Sequence, residues 1–361
     1  SPREVQREVF RRQIGLAIYF GKPIIIHCRD AFIDVIDIMI EEGAGEVGGI
    51  FHAFSGGVDE ALRVLELGFL VGVGGPLTYK NSKLPEVVSR LPSSSIVLET
   101  DCPYLPPVPY RGKRNEPAYV RIVAEKLAEV LGVSFEDVER ATEVNYRRLL
   151  HGEQGYPTSI AYGLKGNIYI NVTGTCTNNC TFCPRHRSNN FLYGHNLNLI
   201  SDPSVDEMVS AVRDLNGNKR FGEIVFCGYG EPTSRASDIV KTANQLRNLR
   251  LPFRLNTNGQ GNMINQRNIV PELGGVFDKV SVSLNAPDRD TYLRVCRPDA
   301  GERAFDAVLD FLRKASSSGI ECEATVLDYP GIDMNACRAL VDSIPQARFR
   351  LKRYHFTACE G

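Results

Sequence analysis

Cys176, Cys180 and Cys183 stand in a C-x3-C-x2-C run directly after the apolar pattern NIYINV. Spacings of three and two let one loop wrap an iron–sulfur cluster corner by corner, each thiolate taking one iron. Three protein ligands for four irons leave one iron open. Chemistry at a metal needs such a vacancy, whereas a structural zinc site closes its shell with four protein ligands. The alternative is a zinc site completed by His186 or Cys227, although no second C-x2-C pair follows at zinc-ribbon spacing. A second set lies earlier: His27 in PIIIHCRD, His52 in GIFHAFSG and Asp101 in VLETDCPYL each end an apolar run. Neutral imidazoles and a carboxylate on one rim are what a hydrolytic site for Mg, Mn or Zn is built from, since a divalent metal lowers the pKa of bound water.

Both sets need strands to position them. In the first half KPIIIHCRD, GGIFHAFSGG, GFLVGVGGPL and SSIVLETDCPYL alternate with charged amphipathic segments, which implies a parallel sheet. A second alternation runs through NIYINVTG, EIVFCGYGEP, FRLNTNG, DKVSVSLNAP, IECEATVLD and RFRLKRYHF, giving six βα units. The stretch between them, HGEQGYPTSIAYGLKG, lacks periodicity and reads as a linker over 153–166. The expectation is therefore an α/β chain of two domains, 1–152 and 167–361. In both, the chemically able residues sit at the C-terminal ends of the strands, the rim where parallel architectures hold their ligands.

Composition narrows the partners. With 42 basic and 43 acidic residues the formal charge is −1, so no global field draws in nucleic acid or an anionic membrane. No apolar run is long enough to span a bilayer and no cleavable signal is seen. Of ten cysteines, three cluster within eight residues and the rest are scattered, which favours metal over disulfides. A cytoplasmic protein without membrane contact is expected. Ser1 leads straight into an amphipathic helix, as if the first domain were truncated.

The cysteine loop, with Phe182 before its last Cys, resembles the signature of the radical S-adenosylmethionine (SAM) superfamily, over the whole second half. The resemblance implies a (β/α)6 partial barrel with a four-iron four-sulfur cluster. The open iron would chelate the amino and carboxylate groups of SAM, and Phe182 would pack near the adenine. Electron transfer from a reductant such as flavodoxin or ferredoxin would then release methionine and a 5'-deoxyadenosyl radical. Three further stretches fit. In CGYGEPT, Gly228 and Gly230 let the backbone approach a ligand and Glu231 can accept from the methionine ammonium. In LNTNG, Asn256, Thr257 and Asn258 can reach ribose hydroxyls, although Asn-Gly alone also reads as a turn. In SVSLNAP, Ser283 and Asn285 share one strand face, and satisfying backbone groups is the competing role. Arg294, Arg297, Lys352, Arg353 and His355 could line the open end of the barrel. Cys359 reads as an unremarkable thiol, and the substrate is not legible.

The runs PIIIHCRDA, FHAFSGG and ETDCPYLPPVPYRGKRNEP closely resemble the TatD family of metal-dependent deoxyribonucleases, which use a (β/α)8 barrel. Even TEVNYRRLL, with Asn145, looks like that family's closing helix. The resemblance implies that His27 and His52 ligate one metal and Asp101 another, that Glu99 orients its strand end, and that Arg111 and Asn115 lie in the following loop. The family's H-x-H pair and bridging glutamate are absent, and Glu46 in GEVGG falls after His27, so it reads as a loop residue. About five strands of an incomplete TIM-type barrel are expected, with impaired hydrolysis and DNA as a partner of this region alone. Two alternatives stand beside the fusion: a metal-dependent deoxyribonuclease with an accessory iron–sulfur domain, and a non-enzymatic metal-binding module.

Overall fold

The computed structural model describes residues 2–152, 156–186, 190–217 and 220–354, with the His186 side chain excepted. His355 and Cys359 lie outside the described residues. The chain forms two compact units. One runs to Tyr156 and takes in the stretch ending at Gly194; the other comprises Pro157–His186 and His195–Tyr354.

The first unit contains α1 (Arg3–Phe20), β1 (Ile24–His27), α2 (Phe32–Glu41), β2 (Gly49–His52), α3 (Val58–Glu66), β3 (Phe69–Val73), α4 (Leu84–Val88), β4 (Ile96–Leu98), α5 (Val120–Leu131) and α6 (Phe135–His151). Its strands form one parallel sheet in the order β1-β2-β3-β4. Among the described residues this sheet has four strands where about five were expected. Glu46 ends a 3-10 turn (Ala44–Glu46) outside the sheet. Residues of alternating strand positions, Ile26, Phe51, Val71 and Ile96, bury against Ile14, Met39, Val64 and Leu127 of the helices, each contributing roughly 2 kcal/mol on full burial. Local chemistry sets the helix ends. Ser134 and Asp137 exchange hydrogen bonds across the first turn of α6, and Gly132 closes α5 in the left-handed region at φ 62°. On the sheet's opposite face lies a cavity of about 760 Å³, lined by Ile25, Ile50, Val97 and Glu99 with Phe135 and Tyr146 of α6.

Between the two halves, β5 (Ala161–Leu164) precedes β6 (Asn167–Asn171), and two-residue strands follow, β7 (Phe191–Leu192) in the first unit and β8 (His195–Asn196) in the second. Then come α7 (Val205–Asn216), β9 (Ile224–Cys227), α8 (Ala236–Leu246), β10 (Phe253–Thr257), α9 (Gly261–Ile264), α10 (Val270–Gly274), β11 (Lys279–Ser283), α11 (Arg289–Cys296), α12 (Arg303–Ser317), β12 (Glu321–Leu327), α13 (Met334–Asp342) and β13 (Ala347–Lys352). The sheet order is β13-β12-β11-β10-β9-β6-β5, parallel throughout except for β5, which pairs antiparallel with β6. All six anticipated strands are present.

Two details depart from the sequence reading. Residues 161–164, read as linker, form the antiparallel edge strand β5; four residues are too few for a periodicity signal, and pairing with β6 decides their state. Residues 190–194, read as part of the second domain, pack in the first unit: Tyr193 N donates to Ser93 Oγ at 2.9 Å, Arg140 Nε donates to Tyr193 O at 2.8 Å, and the Arg148 guanidinium lies 4.1 Å from the Phe191 ring centre. No helix is long and apolar enough to cross a membrane among the described residues.

Strand alternation sorts the second sheet into two faces. Ile168, Ile170, Ile224, Phe226, Leu255, Val280, Val282, Cys322, Ala324 and Val326 are buried on one. Arg254, Asn256, Ser281, Glu323 and Arg350 share the other. There Ser281 Oγ and Arg350 both donate to Glu323, at 2.8 and 2.9 Å, and Arg254 donates to Asn256 Oδ1 at 3.2 Å.

Candidate metal and cluster sites

His27 and His52 end the neighbouring strands β1 and β2 in register, their ring centres 6.1 Å apart. His27 is exposed. His52 is held on both sides, Nδ1 to Glu99 Oε2 at 2.9 Å and Nε2 to Asp101 Oδ1 at 3.2 Å. Burial works to lower the His52 pKa, but the hydrogen bonds and charges of Glu99 and Asp101 outweigh it, so the net shift is upward. Glu99 also accepts from Ala53 N. Its carboxylate has room only because residue 72 is glycine: a Cβ there would come within 2.6 Å of Glu99 Oε2. Glu99 thus orients an imidazole and a turn. Arg111 lies over the Tyr79 ring, 4.5 Å from its centre. Asn115 is buried and donates to Tyr104 O at 2.6 Å. Asn145 on α6 donates to Ser93 O and Ile96 O at 2.7 and 2.8 Å, tying the helix to the start of β4.

In the second unit the cysteine loop leaves β6. Its stem runs beside the end of β9: Val172 N donates to Cys227 O at 2.9 Å, Gly230 N to Thr173 O at 2.9 Å and Glu231 N to Thr175 O at 2.8 Å. The two glycines make this approach possible. A Cβ on Gly230 would fall 2.4 Å from Thr175 O and 2.5 Å from Thr173 O, and Gly228 sits at φ 148° with a would-be Cβ 2.9 Å from Asn171 Oδ1. The expected close approach is made by the loop's own backbone.

Glu231 is 2% exposed and collects four hydrogen bonds. Thr233 N, Thr233 Oγ1 and Thr257 Oγ1 donate to Oε1 at 2.9, 2.5 and 2.7 Å, and Asn258 N donates to Oε2 at 2.6 Å. Burial raises its pKa, and these donors pull the other way. The Asn258 side chain donates to Thr177 Oγ1 at 3.0 Å, while Asn256 faces the charged side of the sheet. Ser283 ends β11 opposite Thr325. Asn285 adopts φ 53° and accepts from Leu327 N at 3.2 Å, so its side chain serves the backbone. Phe182 is 8% exposed and packs edge-on against Tyr329, with ring centres 5.4 Å apart. Arg294 donates to Gly331 O at 3.0 Å. Lys352, at the end of β13, is pushed down to about 8 by burial and by the charges of Arg350 and Arg254.

The three thiols are half-buried. Burial pushes Cys176 up to about 11, against a backbone hydrogen bond from Asn178 N to its Sγ at 3.4 Å. Cys180 is shifted down, first by a hydrogen bond from Cys296 and then by the Asn178 side chain and the Arg185 charge, which outweigh its burial. Three thiols on one loop, with a backbone N–H already aimed at a sulfur, suit the corners of an iron–sulfur cluster. Among the described residues, no three His, Cys, Asp or Glu side chains converge as the ligands of a single ion would.

Residues 1–151 match the family model for TatD related DNase, and residues 170–344 match that for the Radical SAM superfamily. The chain joins a TatD-related segment to a radical SAM domain. The TatD-related segment is 50% identical over 150 residues to the uncharacterized metal-dependent hydrolase YabD of Bacillus subtilis, covering 41% of this chain and 59% of that protein. The chain thus spans less than two thirds of that relative's length. Among solved structures, YjjV, a TatD homologue of Escherichia coli, is 30% identical with a TM-score of 0.39, covering 41% of this chain and 57% of that one. Streptococcus suis SuiB is 17% identical with a TM-score of 0.40, covering 64% of this chain and 50% of that one.

Sequence reasoning missed a group of residues in the radical SAM domain. Asn178, Gln260 and Tyr292 form a buried polar network beneath the cysteine loop: Gln260 Nε2 donates to Asn178 Oδ1 at 2.7 Å and to the Tyr292 hydroxyl at 3.1 Å, and Asn178 Nδ2 donates to the same hydroxyl at 3.2 Å. The three come from a loop, a strand end and α11, and no spacing along the chain links them. Cys296 was passed over as one of the scattered cysteines.

Proposed function

We propose that the radical SAM domain reductively cleaves S-adenosylmethionine, with a four-iron four-sulfur cluster held by Cys176, Cys180 and Cys183 and one iron left open to the sulfonium substrate. The bound cluster would supply the electron, received from a reductant such as flavodoxin or ferredoxin, that breaks the sulfonium carbon–sulfur bond. One observation carries the reading: the three-thiol loop is tied at its stem to the Gly228–Glu231 strand end and at its tip to Asn258 and Gln260. Those elements hold the thiols and bury the Glu231 carboxylate under the same rim. Asn256 and Ser283 stand at neighbouring strand ends as candidate contacts to the nucleoside, and Phe182, next to the third cysteine along the chain, is the candidate apolar contact to the adenine.

Anaerobic reconstitution followed by reduction tests the reading. Wild-type protein should bind four irons and convert SAM to 5'-deoxyadenosine, and Cys183→Ala should lose the cluster. One tightly held zinc and no deoxyadenosine would overturn it.

For the TatD-related segment we propose no more than weak binding of a divalent metal, at His27 and His52, with little deoxyribonuclease activity in this chain. The support is chemical: the 361 residues contain no H-x-H pair, and His52 already spends both ring nitrogens on Glu99 and Asp101. Brisk magnesium- or manganese-dependent cleavage of DNA by the purified chain would refute this.

A further inference from the structure

The residues that close α11 form a short antiparallel ladder with the cysteine loop. Asp299 N donates to Thr177 O at 2.9 Å, Asn179 N to Arg297 O at 3.1 Å and Thr181 N to Val295 O at 2.9 Å, and Asn178 bridges Pro298 in antiparallel fashion. The register is constant through all four pairs. It therefore sets Cys180 directly opposite Cys296, between the bonded pairs Asn179–Arg297 and Thr181–Val295.

Cys296 is 1% exposed, packed beside Tyr292 on the same helix and sealed beneath the loop. The register brings its side chain beside that of Cys180. Bound to iron, Cys180 would be a thiolate, which leaves Cys296 as the sulfur of the pair able to donate. Hydrogen bonds to cluster sulfurs withdraw electron density and are one of the means by which a protein sets a cluster's reduction potential.

We propose that Cys296 is a positioning residue for the cluster: its S–H donates to the Cys180 sulfur, holds that side chain in place, and raises the potential at which the cluster accepts its electron. The inference rests on the radical SAM reading of the three-cysteine loop.

The test is an EPR-monitored redox titration of the anaerobically reconstituted full chain, comparing wild type, Cys296→Ala and Cys296→Ser. All three should bind four irons. The alanine variant should titrate at a lower potential than wild type, and serine, which keeps a donor, should recover most of the shift. Cys296→Val, similar in volume and without a donor, replaces the alanine variant should that one not fold. An unchanged potential in the donor-free variants overturns the role of Cys296 alone. So does a Cys180→Ala protein that keeps its cluster while Cys296→Ala loses it, since Cys296 would then be a ligand. A wild-type chain that takes up no four-iron cluster sinks the radical reading itself, and this inference with it.

Discussion

Asn258 Nδ2 donates to Thr177 Oγ1 at 3.0 Å, and that same hydroxyl donates to Gln260 Oε1 at 3.1 Å. Through these two bonds the residue following the first cysteine is fixed to the end of β10, which ties the cysteine loop to the strand rim. Below them Gln260 and Asn178 both end on the Tyr292 hydroxyl. Tyr292→Phe leaves buried amide donors short of an acceptor and should cost about 1–3 kcal/mol. Thermal denaturation and iron content should fall together; unchanged iron loading would separate the network from the cluster loop.

Gly230→Ala would place a methyl group 2.4 Å from Thr175 O. The loop stem must then part from β9, at a cost of about 1–3 kcal/mol typical of overpacking, and reconstituted protein should hold less iron. Gly217→Ala, whose Cβ meets nothing closer than 3.7 Å, is the control and should load normally.

Glu323 on β12 is held down to about 2: burial works to raise it, but hydrogen bonds from Lys279, Ser281 and Arg350 prevail. Because the folded pKa lies below the ordinary glutamate value of 4.5, this carboxylate stabilises the fold above that value. The contribution disappears as pH falls from 4.5 through about 2. Its size is on the order of 3 kcal/mol. Glu323→Gln should lower the urea midpoint at neutral pH and flatten the acid arm of the stability profile; an equally steep acid arm would contradict this assignment.

Gly72→Ala would drive a Cβ to within 2.6 Å of Glu99 Oε2. Glu99 must withdraw from His52, and the imidazole should then titrate at lower pH than in wild type when followed by NMR. The second unit should keep its thermal transition. A His52 titration midpoint that does not move would show that Glu99 is not what raises it.

Much of the architecture was legible before any coordinates. Apolar runs ended by His27, His52 and Asp101 all proved to be strands or their immediate continuations, because a buried parallel strand needs an unbroken apolar stretch that few other elements use. The six strands of the second half were readable for the same reason, and C-x3-C-x2-C put three thiols on one loop by spacing alone. Local chemistry cannot announce partners distant in sequence. That Glu231 spends its carboxylate on two backbone N–H groups and two threonine hydroxyls, that Asn285 serves backbone, that Gly230 admits the loop's own carbonyls, and that residues 161–164 join the sheet as an edge strand follow from packing. The pairing of Cys180 with Cys296 is the clearest case. Two thiols 116 residues apart carry no mutual signal in composition or period, and only the antiparallel register between the cysteine loop and the end of α11 puts one sulfur against the other.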